Sequence, residues 1–244
     1  MLEVYHAGPA SNSLKVLLCL YEKELDFVSH PINIQVFEQH EAWFLKINPD
    51  GQVPVLVHDG TVITESTVIN EYLDQVFPEI PLRPAAPFAA ARMRQFTKYV
   101  DEYFRPALSY IGWQRMIHTV TDKLGPEEFA ARLARIPREE KREKWRISAK
   151  QGFTEEQMAA WRRTLQEGVG KMEAALQRGP WLAGDDYSLA DIGLFSMAAN
   201  MPHRYSDFMN GADTPRVMDW HARVMARPAV KAALATRSPV KMSA

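Results

Sequence analysis

Three polar residues in a row, Ser11, Asn12 and Ser13, come immediately before a helical pattern of leucines. Hydroxyl and amide groups donate hydrogen bonds, and a helix N-terminus adds unpaired backbone N–H groups with a partial positive charge. Together they favour a site that binds and stabilises an anion. Because Ser and Asn also cap helices, the alternative is that these residues compete for the N-cap. Capping accounts for only one of the three, so we favour the anion site.

A second polar cluster spans residues 48–66. Asn-Pro followed by Asp-Gly at 48–51 predicts a turn. The run from 53 to 58 is typical of a strand that Pro54 opens, where the missing N–H costs little. Glu65 and Ser66 then start a helix. A loop, a strand start and a helix N-terminus thus converge, and with the Glu65 carboxylate they form a polar socket suited to a zwitterion.

The elements around both clusters follow the order βαβαββα. Alternating and helical spacings of apolar residues predict strands at 2–5, 26–30, 53–58 and 61–64 and helices over 14–21, over 37–47 and from 65. This order is typical of a four-stranded mixed sheet with helices packed on it. We therefore predict an N-terminal thioredoxin-like α/β domain. Its redox Cys-x-x-Cys pair is absent from the sequence, which argues against disulfide exchange.

The composition changes after residue 77. Four prolines, at 78, 81, 84 and 87, predict a stiff connector between domains. Helical patterns follow at 88–116, 126–135, 138–150 and 154–177 and from 188, 215 and 228. We predict domains at 1–77 and 88–244, the second all-α, joined by a linker at 78–87. The basic 138–150 segment is interpreted as a solvent face rather than a surface that steers substrates.

Ser188 and Asp191 predict a capping box at the start of a core helix. Tyr187 and Ile192 stand where the flanking hydrophobic staple is expected. We interpret this feature as structural rather than catalytic, so Asp191→Ala is expected to cost on the order of 1 kcal/mol. Thr214-Pro215 predicts another capped helix, with Pro in its first position.

The segment Gln52-Val53-Pro54, followed by Glu65-Ser66 and by Ile69, Tyr72 and Leu73, resembles the glutathione-binding half of the glutathione S-transferases. The resemblance implies glutathione as cofactor and a cis peptide bond before Pro54. The backbone of Val53 is expected to pair with the cysteinyl part of glutathione, and Gln52 is expected to be a further glutathione-binding residue. Glu65 and Ser66 are expected to hold its γ-glutamyl end.

Bacterial transferases of the Cys type carry Gly-Ala-Cys-Ser-Leu where this chain has Ala10-Ser11-Asn12-Ser13-Leu14, so Asn12 stands in place of the cysteine. A free thiol has a pKa near ~8.5, and the thiolate is the nucleophile. A charge-assisted hydrogen bond of roughly 1.5–3 kcal/mol and a helix N-terminus of about 0.3–1 kcal/mol lower that pKa by about two units. We predict Asn12 and Ser13, with Ser11 as the third candidate, as thiolate stabilisers. Transferases of the Tyr type use a tyrosine in the first strand for this task, and Tyr5 is a tyrosine in that strand here.

A longer set of segments resembles the bacterial glutathione-dependent β-etherases, which break β-aryl ethers of lignin. The segments are Asn12-Ser13-Leu14-Lys15, Phe37-Glu38-Gln39-His40, Lys46-Ile47-Asn48-Pro49, Thr64-Glu65-Ser66-Thr67, Val100-Asp101-Glu102-Tyr103-Phe104 and Ile111-Gly112-Trp113. The resemblance implies that glutathione thiolate attacks the carbon that bears an aryloxy group next to a ketone. A phenol then leaves, and a glutathione thioether remains.

The same resemblance implies further binding residues. Gln39 and His40 are expected to touch the glycyl or cysteinyl part of glutathione, and Asp101 to reach its γ-glutamyl amine across a homodimer interface. The alternative for His40 and Asp101 is that each is a solvent-exposed helix residue with no role in glutathione binding. The aromatic substrate is expected above Asn12, in a pocket of methionines and aromatic residues, which suit a bulky ligand. The predicted walls are Tyr110, Ile111, Trp113, Arg115, Met116, Met197, Asn200, Met201 and Tyr205.

Composition limits the remaining possibilities. The net charge of −1 gives no indication of a nucleic-acid or membrane partner. The single cysteine, Cys19, excludes an internal disulfide and favours the cytoplasm. The sequence has no signal-peptide pattern, no transmembrane stretch and no metal-ligand motif, so we predict no bound metal.

Three alternatives to a β-etherase stay open. A general glutathione transferase or lyase acts on other aromatic electrophiles. A non-catalytic relative holds hydrophobic ligands without turnover. A purely structural protein needs no polar socket, so the intact segments at 52–54 and 65–66 argue against it.

Overall fold

The computed structural model describes residues 1–238, except for the side chain of Thr119. Its N-terminal part is a four-stranded mixed sheet in the order β2-β1-β3-β4, in which only the β1–β2 pair is parallel. The strands are β1 Leu2–His6, β2 Phe27–Pro31, β3 Val55–His58 and β4 Thr61–Ile63. The sheet and the helices packed on it confirm the predicted thioredoxin-like arrangement.

Twelve α-helices occur within the described residues, and nine of them follow the sheet-containing part. They are α1 Ser11–Glu22, α2 Ala42–Leu45, α3 Ser66–Val76, α4 Pro87–Tyr99, α5 Arg105–Leu124, α6 Pro126–Ala134, α7 Glu139–Lys150, α8 Glu155–Ala175, α9 Leu189–Ala198, α10 Met201–Arg204, α11 Pro215–Ala226 and α12 Pro228–Leu234. The all-α character of the C-terminal part is thus confirmed. The domain boundaries stay predictions, and residues 239–244 of the predicted second domain lie outside the described residues. None of the helices in 1–238 is long and apolar enough to cross a membrane.

Two predicted helices differ from the observed elements. The helix expected at 37–47 is replaced by a 3-10 turn at Glu38–His40 and the short α2, because Phe37 adopts a left-handed backbone with φ of 61° before the turn and Glu41 adopts an extended backbone after it. The helix expected at 88–116 contains a π-helical segment at Val100–Phe104, where the Arg105 N–H donates to the Val100 carbonyl. Pro106 follows directly and has no N–H to continue the ordinary helical pattern, which accounts for the wider turn.

Ser11, Asn12 and Ser13, for which N-capping was the alternative, do not cap the start of α1. Ala10 occupies the N-cap position, and no side chain caps this end. The Ser13 hydroxyl instead accepts a hydrogen bond of 3.0 Å from the Ala7 N–H. At α11 the predicted Pro is in the first turn, but the Thr214 side chain does not cap the helix and bonds backbone groups of the preceding turn instead.

The proline-containing connector at 78–86 is attached to both halves of the molecule. Leu82 is buried, and its N–H donates to the Asp74 carboxylate of α3 at 2.7 Å. Its carbonyl accepts from the Leu189 N–H at the start of α9 at 2.9 Å. The segment therefore joins α3 to the start of α9 through hydrogen bonds at Leu82.

Asp191 accepts more hydrogen bonds than a capping box requires. The box with Ser188 is present as predicted. The buried carboxylate also accepts from the Leu182 N–H at 3.1 Å and from the Trp220 indole Nε1–H at 2.9 Å. Burial raises the pKa of Asp191 to about 6, and the donated hydrogen bonds oppose that shift.

We expect Asp191→Ala to lower the free energy of unfolding by about 3 kcal/mol or more, beyond the loss of a cap alone, because buried donors of Leu182, Ser188 and Trp220 lose their acceptor. Urea denaturation followed by circular dichroism measures this change. Asp186→Ala, at a neighbouring exposed carboxylate, is the control. Equal stabilities of the two variants would contradict the structural role of Asp191.

Candidate active site

The two polar clusters meet at one cavity of about 290 Å³. The β1–α1 loop and the first turn of α1 form one wall, and the loop before β3 forms another. Helices α5 and α7 cover it from the helical part. The predicted residues that line this cavity are Ser11, Asn12, Ser13, Gln39, His40, Gln52 and Val53.

Three buried polar atoms at this cavity have no hydrogen-bond partner among residues 1–238. They are the Asn12 Oδ1, the Gln39 Oε1 and the His40 Nδ1. A buried polar atom without a partner costs roughly 1–3 kcal/mol, and such atoms are few in native proteins. Three of them around one cavity indicate that a polar ligand completes their hydrogen bonds.

The serines beside Asn12 occupy different environments. Ser13 is buried, and its hydroxyl proton is free to donate because the oxygen accepts from Ala7. Ser11 is exposed, with its hydroxyl 3.5 Å from the Met197 sulfur. Asn12 and Ser13 are therefore better arranged than Ser11 to donate to a sulfur anion held in the cavity.

The loop before β3 has the backbone form that the resemblance implies. The Val53–Pro54 peptide bond is cis, and the Asn48 side chain holds the loop by donating to the Gln52 carbonyl at 2.8 Å. Gly51 has a φ of 59°, and a Cβ there would lie 2.5 Å from the His40 Cδ2. Only glycine therefore allows this loop to approach the His40 ring so closely.

Four of the residues predicted to bind glutathione do not line the cavity directly, namely Pro54, Glu65, Ser66 and Asp101. Ser66 is the buried first residue of α3, and Glu65 precedes it with a φ of 66°. Asp101 accepts from the Lys15 ammonium at 2.8 Å and from the Thr67 hydroxyl at 2.6 Å, all in the same chain. A contact of Asp101 with glutathione across a dimer interface stays a prediction.

The predicted aromatic-substrate walls divide between two cavities. Trp113 and Met116 line the first cavity. A second cavity of about 180 Å³ adjoins it at Ala10 and Ser11. The predicted residues that line this second cavity are Ile111, Arg115, Met197, Asn200, Met201 and Tyr205.

Tyr110 lines neither cavity, in contrast to its prediction as a substrate wall. Its ring stacks on Trp161 with centroids 4.4 Å apart, and the Lys144 ammonium lies 4.1 Å from its centroid on the other side. The ring is thus used in packing α5 against α8 and α7.

Among the lining residues of the first cavity that sequence reasoning missed, three come from the helical part: Arg105, Lys141 and Trp145. Lys141 and Trp145 belong to the charged segment that was interpreted as a solvent face, which is wrong for one side of α7. Trp145 is only 5% exposed and packs against Phe37 and Trp113. The signal in the sequence that could have identified this face of α7 is the spacing of four residues between Lys141 and Trp145, which places both on one side of the helix.

Comparisons with known proteins place the chain in a family. Models of the glutathione S-transferase N-terminal and C-terminal domains match residues 10–76 and 129–237. The chain is 44% identical over 236 residues to Protein LigF of Sphingobium sp., covering 94% of this chain and 91% of that protein. It is 26% identical to glutathione S-transferase 3 of Zea mays over 96% of this chain and 93% of that protein. The chain belongs to the glutathione S-transferase family.

Solved structures extend this similarity. The crystal structure of the β-etherase LigF from Sphingobium sp. superposes with a TM-score of 0.92 at 43% identity, covering 97% of this chain and 99% of that one. The poplar glutathione transferase F7 superposes with a TM-score of 0.74 at 24% identity, covering 96% and 97% of the two chains, and this second match concerns the fold alone. Among residues 1–238, no group of three His, Cys, Asp or Glu side chains is arranged to hold a metal ion.

We expect stability to fall as the pH drops from about 6.5 to about 4, and His40 to contribute to this fall. Burial lowers the pKa of His40 to about 4, whereas an unfolded histidine titrates near ~6.5. The unfolded state therefore binds more protons in this window, so acid favours unfolding. Urea midpoints measured across the window should decline less steeply for His40→Gln than for the wild type. His118→Gln, at an exposed site on α5, is the control and should keep the wild-type slope. If the urea midpoint of His40→Gln falls with pH as steeply as that of the wild type, the contribution assigned to His40 is contradicted.

Proposed function

We propose that this protein is a glutathione-dependent β-etherase. The glutathione thiolate attacks the carbon that bears the aryloxy group, next to a ketone. A C–S bond forms, the C–O bond breaks with its electrons going to oxygen, and a phenol is released. The observation that carries the proposal is the cavity itself, in which the polar loop of Asn12 and Ser13 faces an aromatic wall of Trp113 and Trp145. The 44% identity to a β-etherase over nearly the whole chain supports it.

The polar half of the cavity suits glutathione. The atoms without partners on Asn12, Gln39 and His40 are matched by the amide and ammonium donors of a short peptide. The edge of Val53 before Pro54 offers backbone groups to the cysteinyl unit. Glu65 and Ser66, at the start of α3, are proposed to hold the γ-glutamyl end, and Asp101 to approach it from the partner subunit of a homodimer.

The donors at the start of α1 suit the thiolate. Ser13 is fixed by the Ala7 N–H and keeps its proton for the sulfur, while the Asn12 amide supplies a second donor. Neither residue forms a mixed disulfide with glutathione, so both leave the thiolate free to react. Because the electrophilic carbon lies next to a carbonyl, alignment with the thiolate is the principal catalytic requirement.

The assembly and location are also proposed. A homodimer in the cytoplasm agrees with a buried, unpaired Cys19 and with the family resemblance. Phe88 on α4 is 84% exposed, and an apolar side chain of this size is better accommodated in a subunit interface. Light scattering after gel filtration tests the dimer.

The first test is to mix the purified protein with glutathione and a racemic α-keto β-aryl ether and to follow phenol release by chromatography. Glutathione-dependent release from one half of the racemate is the expected result and shows a stereospecific β-etherase. Absence of release from a protein that still binds glutathione would refute the etherase proposal and favour a transferase with another aromatic electrophile. A protein that binds an aromatic ligand without glutathione would be a non-catalytic binder.

Ser13→Ala and Asn12→Ala should each lower kcat/KM for ether cleavage by about tenfold or more, since each removes a charge-assisted hydrogen bond to sulfur. The pKa of bound glutathione, followed by thiolate absorbance, should rise in both variants. Ser206→Ala, at an exposed site outside both cavities, is the control and should match the wild type. A reduced rate without any rise in the thiol pKa would assign Asn12 and Ser13 to substrate positioning instead.

A further inference from the structure

Two cations line the first cavity without a partner. Arg105 at the start of α5 and Lys141 on α7 both lie in its wall. Within residues 1–238 neither head group makes a hydrogen bond or an ion pair. Neighbouring cations are paired: Lys15 with Asp101, Arg138 with Asp50 and Glu140, and Arg142 with Glu139. Asp50 also lines the cavity, but its carboxylate lies 3.7 Å from the Arg138 guanidinium, so Arg105 and Lys141 leave unpaired positive charge there.

The surroundings of Lys141 indicate which anion it meets. Trp145, one turn further along α7, lies on the same face, and its ring meets that of Trp113 edge-on at 3.7 Å between centroids. Met116 completes this wall. Because Lys141 and this aromatic wall line the same cavity as the Asn12 and Ser13 loop, an aryl ring bound against the wall shares the cavity with the Lys141 ammonium.

We propose that Lys141 is the acid that protonates the departing aryloxide, with Arg105 as the second positive charge beside it. This inference rests on the proposed etherase function. The thiolate forms the C–S bond as the C–O bond breaks, the electron pair stays on the aryl oxygen, and the Lys141 Nζ donates a proton to it. Solvent then reprotonates the amine, so the phenol leaves neutral and Lys141 is ready for the next turnover.

The electrostatics of the site are consistent with this role. Burial, followed by the nearby Arg105 charge, lowers the pKa of Lys141, and Glu140 and Glu65 oppose the shift while Arg138 adds to it. A phenol titrates at ~10, as tyrosine does, and an ordinary lysine at ~10.4. The lowered pKa of Lys141 therefore moves its ammonium towards the pKa of the phenol that it must form, which favours proton transfer to the leaving oxygen.

The test compares two ethers that differ only in the leaving group, 4-methoxyphenol or the far more acidic 4-nitrophenol. Lys141→Met should lower kcat by roughly 100-fold for the methoxyphenyl ether and by less than about 3-fold for the nitrophenyl ether, because nitrophenolate leaves without a proton. The KM for glutathione should not change. Lys150→Met, on the exposed end of the same helix, is the control and should behave as the wild type.

Lys141→Arg provides a second variant that keeps the charge and the fold. Arginine holds its proton too tightly to donate it, so the methoxyphenyl ether should still lose about 10-fold or more in kcat relative to the wild type. Equal losses for both ethers, or a raised KM for glutathione, would overturn the inference and make Lys141 a glutathione ligand. Wild-type rates in both variants would overturn it while leaving the etherase function intact. A wild-type protein that releases no phenol from either ether would overturn both.

Discussion

The burial of helix α1 on every side is the constraint on which the candidate site depends. Its residues from Ser13 to Leu20 are all buried, and the helix packs against α3, α9 and α12. Leu2, Val4 and Leu56 of the sheet belong to the same buried cluster. A helix held in this way cannot shift or rotate without breaking the core, so its first turn is fixed relative to the loop before β3. The donors Asn12 and Ser13 thus have a set position before any ligand arrives. Such preorganisation is what stabilisation of a developing or bound anion requires.

Lys15 connects this helix to the rest of the site. Its buried ammonium donates to Thr67 at the start of α3 and to Asp101 in the π-helical segment. Burial lowers the pKa of Lys15, and Asp101 opposes that shift. Removing Asp101 would leave a buried charge without its partner, which is costly. A loss of glutathione binding on mutating Asp101 would therefore report on the fold of the site as much as on a direct contact.

Much of the N-terminal half followed from the sequence because its signals are local. The hairpin β3–β4, the turn at 48–51 and the start of α3 at Ser66 each depend on residues that are close along the chain. The left-handed backbone of Phe37, at the first position of the predicted helix, did not follow, because it is a bulky residue in a conformation that its burial against Trp145 and His40 accounts for. The same long-range packing concealed the role of α7. Its high charge indicated solvent, yet one face is turned towards the cavity through Trp145.

The two halves of the cavity therefore perform different tasks. The part made by α1 and the loop before β3 is polar, backbone-rich and rigid, and it suits an invariant tripeptide with a thiol. The part made by α5 and α7 consists of aromatic rings and cations, and it suits the variable electrophile and the negative charge that departs from it. Trp113, Met116 and Trp145 pack in a hydrophobic cluster separate from the one that contains α1, so they are able to change without disturbing Asn12 and Ser13. On the proposed function, the choice of substrate is thus separated from thiolate activation by where each set of residues is anchored.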